Sequence, residues 1–172
     1  PIYRDHLAAR GNRQVVMIGY ADSNKESGIA SSRWLLRRAQ EAMLAACATA
    51  GVRLMVFHGR GGGISRGGSR TEAVVSSLPT AVAGGQLRVT EQGETINDRY
   101  GLQPITLRTF EQGLNTLALA VAGERREIIK PGWEDAMQLL ADASRTHYRA
   151  FVHDDPGFFE FFSRHPPILS SI

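Results

Sequence analysis

Two short apolar runs, Gln14-Val15-Val16-Met17-Ile18-Gly19-Tyr20 and Val52-Arg53-Leu54-Met55-Val56-Phe57, flank a stretch whose apolar residues recur at Leu36, Ala39, Met43, Cys47 and Ala50. Continuous apolar runs of this length are expected of strands buried on both faces. Steps of three and four residues place the intervening side chains on one face of a helix, predicted over residues 29–50 with Gly51 as its C-terminal stop. Strand, long helix, strand is the βαβ unit, and its two strands run parallel because the helix carries the chain back to the end of the sheet where it started. The segments leaving the two strands therefore emerge at one edge, the carboxyl edge, where α/β folds build their sites.

The second of those segments is the more unusual. His58-Gly59-Arg60-Gly61-Gly62-Gly63-Ile64-Ser65-Arg66-Gly67-Gly68 sets one histidine and two arginines among six glycines. Glycine lets backbone N–H groups approach an anion closely and accepts positive φ. Arginine offers a planar donor fork that matches phosphate or carboxylate, and histidine exchanges a proton near neutral pH. No Gly-Lys-Ser/Thr follows, so the loop is not a Walker A motif, and its glycine spacing is not that of a dinucleotide-binding turn. A flexible linker, or an arginine-glycine tract for single-stranded nucleic acid, is the competing reading; a single occurrence without interleaved aromatic residues weighs against it. The first segment, Ala21 to Gly28, reads as a polar turn. Asp22 there has the chemistry of one of the one or two carboxylates that hold Mg²⁺ beside a substrate phosphate, and Lys25 adds a point charge; the same residues also suit an ordinary solvated turn.

With 172 residues, 42% of them apolar, the chain has the size of a single domain spanning 1–172. Of its 20 basic residues only Lys25 and Lys130 are lysine, yet the formal net charge is just +3. An arginine excess suits oxyanions or reflects codon usage, and so small a net charge argues against a dedicated nucleic-acid binder. The sequence has no apolar run of about 18 residues and no basic-then-apolar leader, so no membrane partner and a cytoplasmic location are expected. A start at Pro1 has the look of the interior of a longer chain. Cys47 falls inside the helical pattern, the place of a small buried residue more than of a reactive thiol.

Further along, Thr71 to Ser77 suggests a short helical piece and Pro79 to Gly85 a small-residue connection. Leu87-Arg88-Val89-Thr90 reads as a third strand that ends in Glu91-Gln92-Gly93-Glu94, and residues 105–122 and 133–152 carry helical periodicity. Either Glu91 or Glu94 suits a supporting carboxylate beside Gln92, and an exposed pair suits them equally. Phe158, Phe159, Phe161 and Phe162 form an aromatic cluster of the kind used for core or interface packing. His6, His147, His153 and His165 have no metal-ligand spacing with cysteine or carboxylate.

Gly19-Tyr20-Ala21-Asp22-Ser23-Asn24-Lys25, Phe57-His58-Gly59-Arg60-Gly61-Gly62 with Arg66-Gly67-Gly68, and Leu87-Arg88-Val89-Thr90-Glu91-Gln92-Gly93-Glu94 stand in the order and at the spacing found in phosphoenolpyruvate carboxylase. The chain resembles that family from about Val15 to Phe162, with a divergent tail over 164–172. The resemblance implies a helix-rich TIM-barrel enzyme that joins phosphoenolpyruvate to bicarbonate, giving oxaloacetate and phosphate with Mg²⁺ or Mn²⁺. It implies that Asp22 binds the metal together with a glutamate upstream of this chain, and that Lys25, His58, Arg60, Arg66 and Gln92 line the active site. Arg66 by the same resemblance also belongs to the site where the acidic inhibitors aspartate and malate act. Ala21, Glu26 and Ser27 depart mildly from the first motif and Ser65 from the glycine loop. The family's second essential histidine, its metal-binding glutamate and further substrate-binding arginines have no counterpart here.

A complete (β/α)₈ barrel takes about 250 residues, so the expected fold is α/β: a partial TIM-type barrel of parallel strands and long helices, a fragment of the catalytic barrel. Such a piece leaves apolar faces open and is expected to form a homo-oligomer. The competing functions are a non-catalytic binding or interaction module derived from the same family and, less favoured, a nucleic-acid binder using the arginine-glycine loop.

Overall fold

The computed structural model describes residues 2–61, 73, 75, 77–79, 86–123 and 129–165. Arg66, with most of the glycine loop, and residues 166–172 of the tail lie outside the described residues. Three parallel strands in the order β1-β2-β3 make one sheet: β1 (Arg13–Gly19), β2 (Arg53–Gly59) and the short β3 (Arg88–Val89). Around it run α1 (Ile2–Ala9), α2 (Tyr20–Ser27), α3 (Ile29–Thr49), α4 (Gly93–Tyr100), α5 (Gln103–Val121), α6 (Trp133–Val152) and α7 (Pro156–Arg164). The expected βαβ unit is present, with Arg13 paired to Arg53 at one end and Gly19 to Gly59 at the other. Within the expected helical piece 71–77, the described residues 73, 75 and 77 are helical.

The long helix stops where the sequence says it should. Gly51 adopts φ +66°, its N–H bonds Ala48 O at 3.1 Å, and the Val52 N–H reaches back to Cys47 O at 2.9 Å. These two bonds satisfy the last carbonyls of α3 and aim the chain into β2.

Residues 21–28 are not a polar turn: Tyr20–Ser27 is helical. The segment contains no glycine or proline to break a helix, and its serine hydroxyls do not compete for backbone N–H groups but bond back to carbonyls four residues earlier, Ser23 Oγ to Gly19 O at 2.6 Å and Ser27 Oγ to Ser23 O at 3.0 Å. Gly28 then ends α2 and begins α3 at φ +74°, ψ 164°, a conformation essentially confined to glycine.

The core lies between the sheet and α3, where Ile18, Tyr20 and Val56 pack with Leu36, Met43 and Leu54. The other sheet face is open among the described residues: Val15 is 36% and Met17 59% exposed. The expectation that both faces of these strands are buried therefore fails for β1 in this chain. Covering the second face takes residues beyond the βαβ unit, and the described ones do not supply them. Helix α6 docks on α2 and α3 through a Trp34 Nε1–Gln138 Oε1 hydrogen bond of 2.8 Å, an Arg149–Glu26 ion pair and His153 Nε2 against Lys25 O at 2.9 Å. The phenylalanine cluster sits on α7, whose N-cap Asp155 accepts from the Gly157 N–H at 2.8 Å. Phe158 stacks on Phe162 and meets Phe151 edge-on, while Phe159 and Phe161 stay exposed. No helix among the described residues is long and apolar enough to cross a membrane.

Gly28→Ala should destabilise the fold by about 1–3 kcal/mol, because the required backbone conformation is strained for any side chain. The new Cβ would also sit 3.2 Å from ring atoms of Tyr148 on α6. Denaturant unfolding of the two chains measures it, and equal stability would contradict this account of the α2–α3 junction.

Candidate functional site

The register of β1 on β2 determines what meets at the carboxyl edge. Ile18 pairs with His58, and side chains alternate across a strand, so Tyr20, two residues beyond Ile18, lies on the His58 side of the sheet. There the Tyr20 hydroxyl and His58 Nδ1 are 2.9 Å apart, with 3% of Tyr20 and 1% of His58 exposed. One residue past β2, Arg60 turns onto the same ring: its Cζ lies 4.2 Å from the Tyr20 ring centroid, and Arg33 Cζ from α3 approaches to 5.3 Å. Both are cation–π distances. Two guanidinium groups and one imidazole thus share a single phenol ring.

The electrostatic consequence falls on the weaker bases. Burial, reinforced by the Arg60 charge, pushes His58 from the usual 6.5 down to about 4, so the ring is neutral at pH 7. Burial lowers the Arg33 pKa too, with repulsion from Arg60 adding to it and attraction to Tyr20 opposing it. Thr90, just past β3, fixes the backbone at this point: its N–H donates to His58 O at 3.0 Å, and its Oγ1 accepts the Arg60 N–H at 3.0 Å.

Arg60 is 7% exposed and lines two cavities. One, of about 570 Å³, opens at the ends of β2 and β3 beside Gly61, Thr90, Glu91 and Arg99, with apolar residues of α5 as its far wall. Glu91 pairs with Arg99 there at 2.5 Å, and burial together with a hydrogen bond to Glu91 pushes the Tyr100 hydroxyl up to about 12. The other, of about 470 Å³, lies behind Tyr20 and is lined by Arg33, Trp34 and Trp133 among others. Its guanidinium has the planar donor fork that phosphate and carboxylate groups match.

The other expected site residues are placed differently. Asp22 and Lys25 lie on α2, not in a turn, as an exposed i,i+3 ion pair of 3.5 Å. The Asp22 carboxylate still folds back over the end of β1, since a Cβ on Gly19 would lie 3.4 Å from its Oδ2. Gln92 is exposed and precedes α4, its carbonyl taking the N–H groups of Thr95 and Ile96. His58, Asp22, Lys25 and Gln92 line neither cavity. Sequence reasoning missed Tyr20 and Thr90 as site residues. The signal for Tyr20 was available in the period of two that puts it on the face of Ile18.

A hard divalent cation is commonly held by one or two carboxylates with substrate phosphate and water completing the shell. Asp22 has the chemistry of one such ligand, exposed in the first turn of α2 and paired among the described residues with a solvated lysine. Among the described residues no three metal-ligating side chains lie together.

The sequence model of the phosphoenolpyruvate carboxylase family matches residues 1–170. The chain belongs to that family. Among curated phosphoenolpyruvate carboxylases, that of Xanthomonas euvesicatoria is 47% identical over 169 residues, covering 98% of this chain and 19% of the relative. The protein of Roseiflexus castenholzii is 41% identical over 168 residues, covering 98% of this chain and 18% of the relative. That of Parasynechococcus marenigrum is 38% identical over 172 residues, at 98% and 17%. The chain thus spans about a fifth of the length of the phosphoenolpyruvate carboxylases it matches.

The buried imidazole makes stability depend on pH in a defined interval. His58 protonates near pH 4 in the fold and near 6.5 when unfolded. Between those values the unfolded chain binds the extra proton, so the His58 contribution is complete above the upper value and is lost as pH falls toward the lower one. Unfolding midpoints taken across the interval should decline more steeply for the native chain than for His58→Gln, and identical slopes would contradict it.

Proposed function

We propose that this chain supplies part of the reacting site of a phosphoenolpyruvate carboxylase, which joins phosphoenolpyruvate to bicarbonate to give oxaloacetate and phosphate. The observation that carries the reading is Arg60, a buried cation at the carboxyl end of a parallel strand, facing a cavity at that edge. Phosphoryl transfer to bicarbonate would give carboxyphosphate and the enolate of pyruvate, both anionic, so catalysis is chiefly positioning and charge stabilisation. Arg60 and Arg66 clamp phosphate and carboxylate oxygens, Lys25 adds a point charge, and Gln92 contributes to substrate binding. His58, neutral at pH 7, cannot add positive charge; its proposed part is to exchange a hydrogen bond with the carboxyphosphate at Nε2, the ring nitrogen that does not face Tyr20, although in this chain the ring is buried and lines neither cavity.

Asp22 is offered as one carboxylate ligand for Mg²⁺ or Mn²⁺, the rest of the shell coming from substrate and from polypeptide outside this chain. When bound, the ion would act as a Lewis acid toward developing oxygen charge. The three parallel strands are proposed to form part of a (β/α) barrel, whose remaining elements cover the open face at Val15 and Met17. Exposed apolar side chains such as Phe110, Leu114, Leu139 and Phe159, each more than 60% exposed, suit burial by the remaining polypeptide and in a homo-oligomer. The cytoplasm is the proposed location, and acidic effectors such as aspartate or malate are proposed to act near Arg66.

The test is oxaloacetate formation by the whole protein with phosphoenolpyruvate, bicarbonate and Mg²⁺. Replacing Arg60 by Ala should lower kcat by about 10²–10³, the usual cost of one preorganised donor to developing charge; Arg66→Ala should do likewise. Near-parental turnover in Arg60→Ala would remove that residue from the mechanism. Absence of activity in the unmodified protein would favour a non-catalytic module of the same family.

A further inference from the structure

We infer that Tyr20 is a positioning residue for His58: its hydroxyl donates to Nδ1, keeps the ring proton on Nε2, and so makes His58 a hydrogen-bond donor rather than a base at its other edge. The inference rests on the proposed reaction only for its consequence in catalysis. The tautomer itself follows from the site.

The partners are 2.9 Å apart and nearly inaccessible, so little water competes for either. A phenol can donate to or accept from an imidazole nitrogen, and the distance alone does not choose. The surroundings do. Arg60 and Arg33 place positive charge over the same ring at 4.2 and 5.3 Å from its centroid. Charge there draws electron density from the phenolic oxygen, which strengthens O–H as a donor and weakens the oxygen as an acceptor. An Nδ1–H aimed at that oxygen would meet the poorer acceptor. A doubly protonated ring would put a third cation in the cluster, and burial with the Arg60 charge holds His58 neutral. The remaining state carries its proton on Nε2 and takes the Tyr20 hydroxyl at Nδ1.

Backbone elements hold the arrangement in place. Ile18 pairs with His58, so the strand register presents the first residue of α2 to the imidazole. Tyr20 is packed in the core cluster against α3. With Nδ1 occupied, the proposed reaction can use His58 only through Nε2–H, as a donor to an anionic oxygen.

The tautomer can be read directly by nitrogen-15 NMR of the histidine-labelled chain, with His58→Gln to assign the signals. Wild type should give His58 as one neutral tautomer, its proton on Nε2 and Nδ1 of the unprotonated type. Tyr20→Phe keeps the ring and its cation contacts but removes the donor, and should shift the pattern toward a mixture of tautomers. A proton on Nδ1 in wild type overturns the inference even if the variant fails to fold, and so does an unchanged tautomer in a folded Tyr20→Phe. In the whole protein the same variant should lower kcat about five- to tenfold, the loss of one hydrogen bond, with KM for phosphoenolpyruvate nearly unchanged. A changed tautomer with unchanged kcat would refute the positioning role. Absence of carboxylation in the unmodified protein would instead contradict the proposed function and leave the tautomer measurement to decide the inference.

Discussion

With Ile18 paired to His58 and Gly19 to Gly59, β1 and β2 end at the same level, and the Tyr20–His58–Arg60 cluster follows from that alignment. Parallel pairing in this register delivers Tyr20 to the imidazole and brings Arg60 onto the same ring from the neighbouring strand. The paired glycines matter at the same place. A Cβ on Gly59 would lie 2.7 Å from Met17 Cε, the free end of an exposed side chain that can move aside, and 3.1 Å from Ile18 O, a tight contact that the strand ends would relax by a few tenths of an ångström. A slip of one strand by one residue would place His58 and Tyr20 on opposite faces of the sheet and dissolve the cluster.

The cluster also explains why an arginine can be nearly buried here. A guanidinium is more weakly hydrated than an ammonium and stacks well on an aromatic face, so the Tyr20 ring offsets part of its desolvation. The repulsion that remains bears on its neighbours: burial makes both His58 and Arg33 less basic, and the Arg60 charge adds to it. An anion in either cavity beside Arg60 would relieve that repulsion. This links the packing of the βαβ unit to the anion chemistry proposed for it.

Periodicity made the long helices legible, and Gly51 fixed where α3 stops. It could not reveal α2, because Asp22, Ser23 and Asn24 are weak helix formers and the segment is held by docking against α3 and α6. The apolar character of β1 signalled burial correctly in kind, but the cover for its second face is not among the described residues, so Val15 and Met17 remain open. At the site, the glycine-rich surroundings made His58 and Arg60 conspicuous. Tyr20 was hidden by its apolar neighbours, which made it look like the last residue of a strand. Its role depends on a contact across 38 residues that only the register discloses. The pairing of Thr90 with the backbone of His58 and Arg60 is non-local in the same way.

The ends of β1 and β2 are proposed to act as one anion site. Hydrogen exchange on the whole protein, with and without phosphoenolpyruvate in the presence of Mg²⁺, tests it most directly. The account predicts that segments 19–27 and 56–61 gain protection together and with the same dependence on ligand concentration. Protection confined to one of the two segments, or absent from both while the protein binds phosphoenolpyruvate elsewhere, would contradict it.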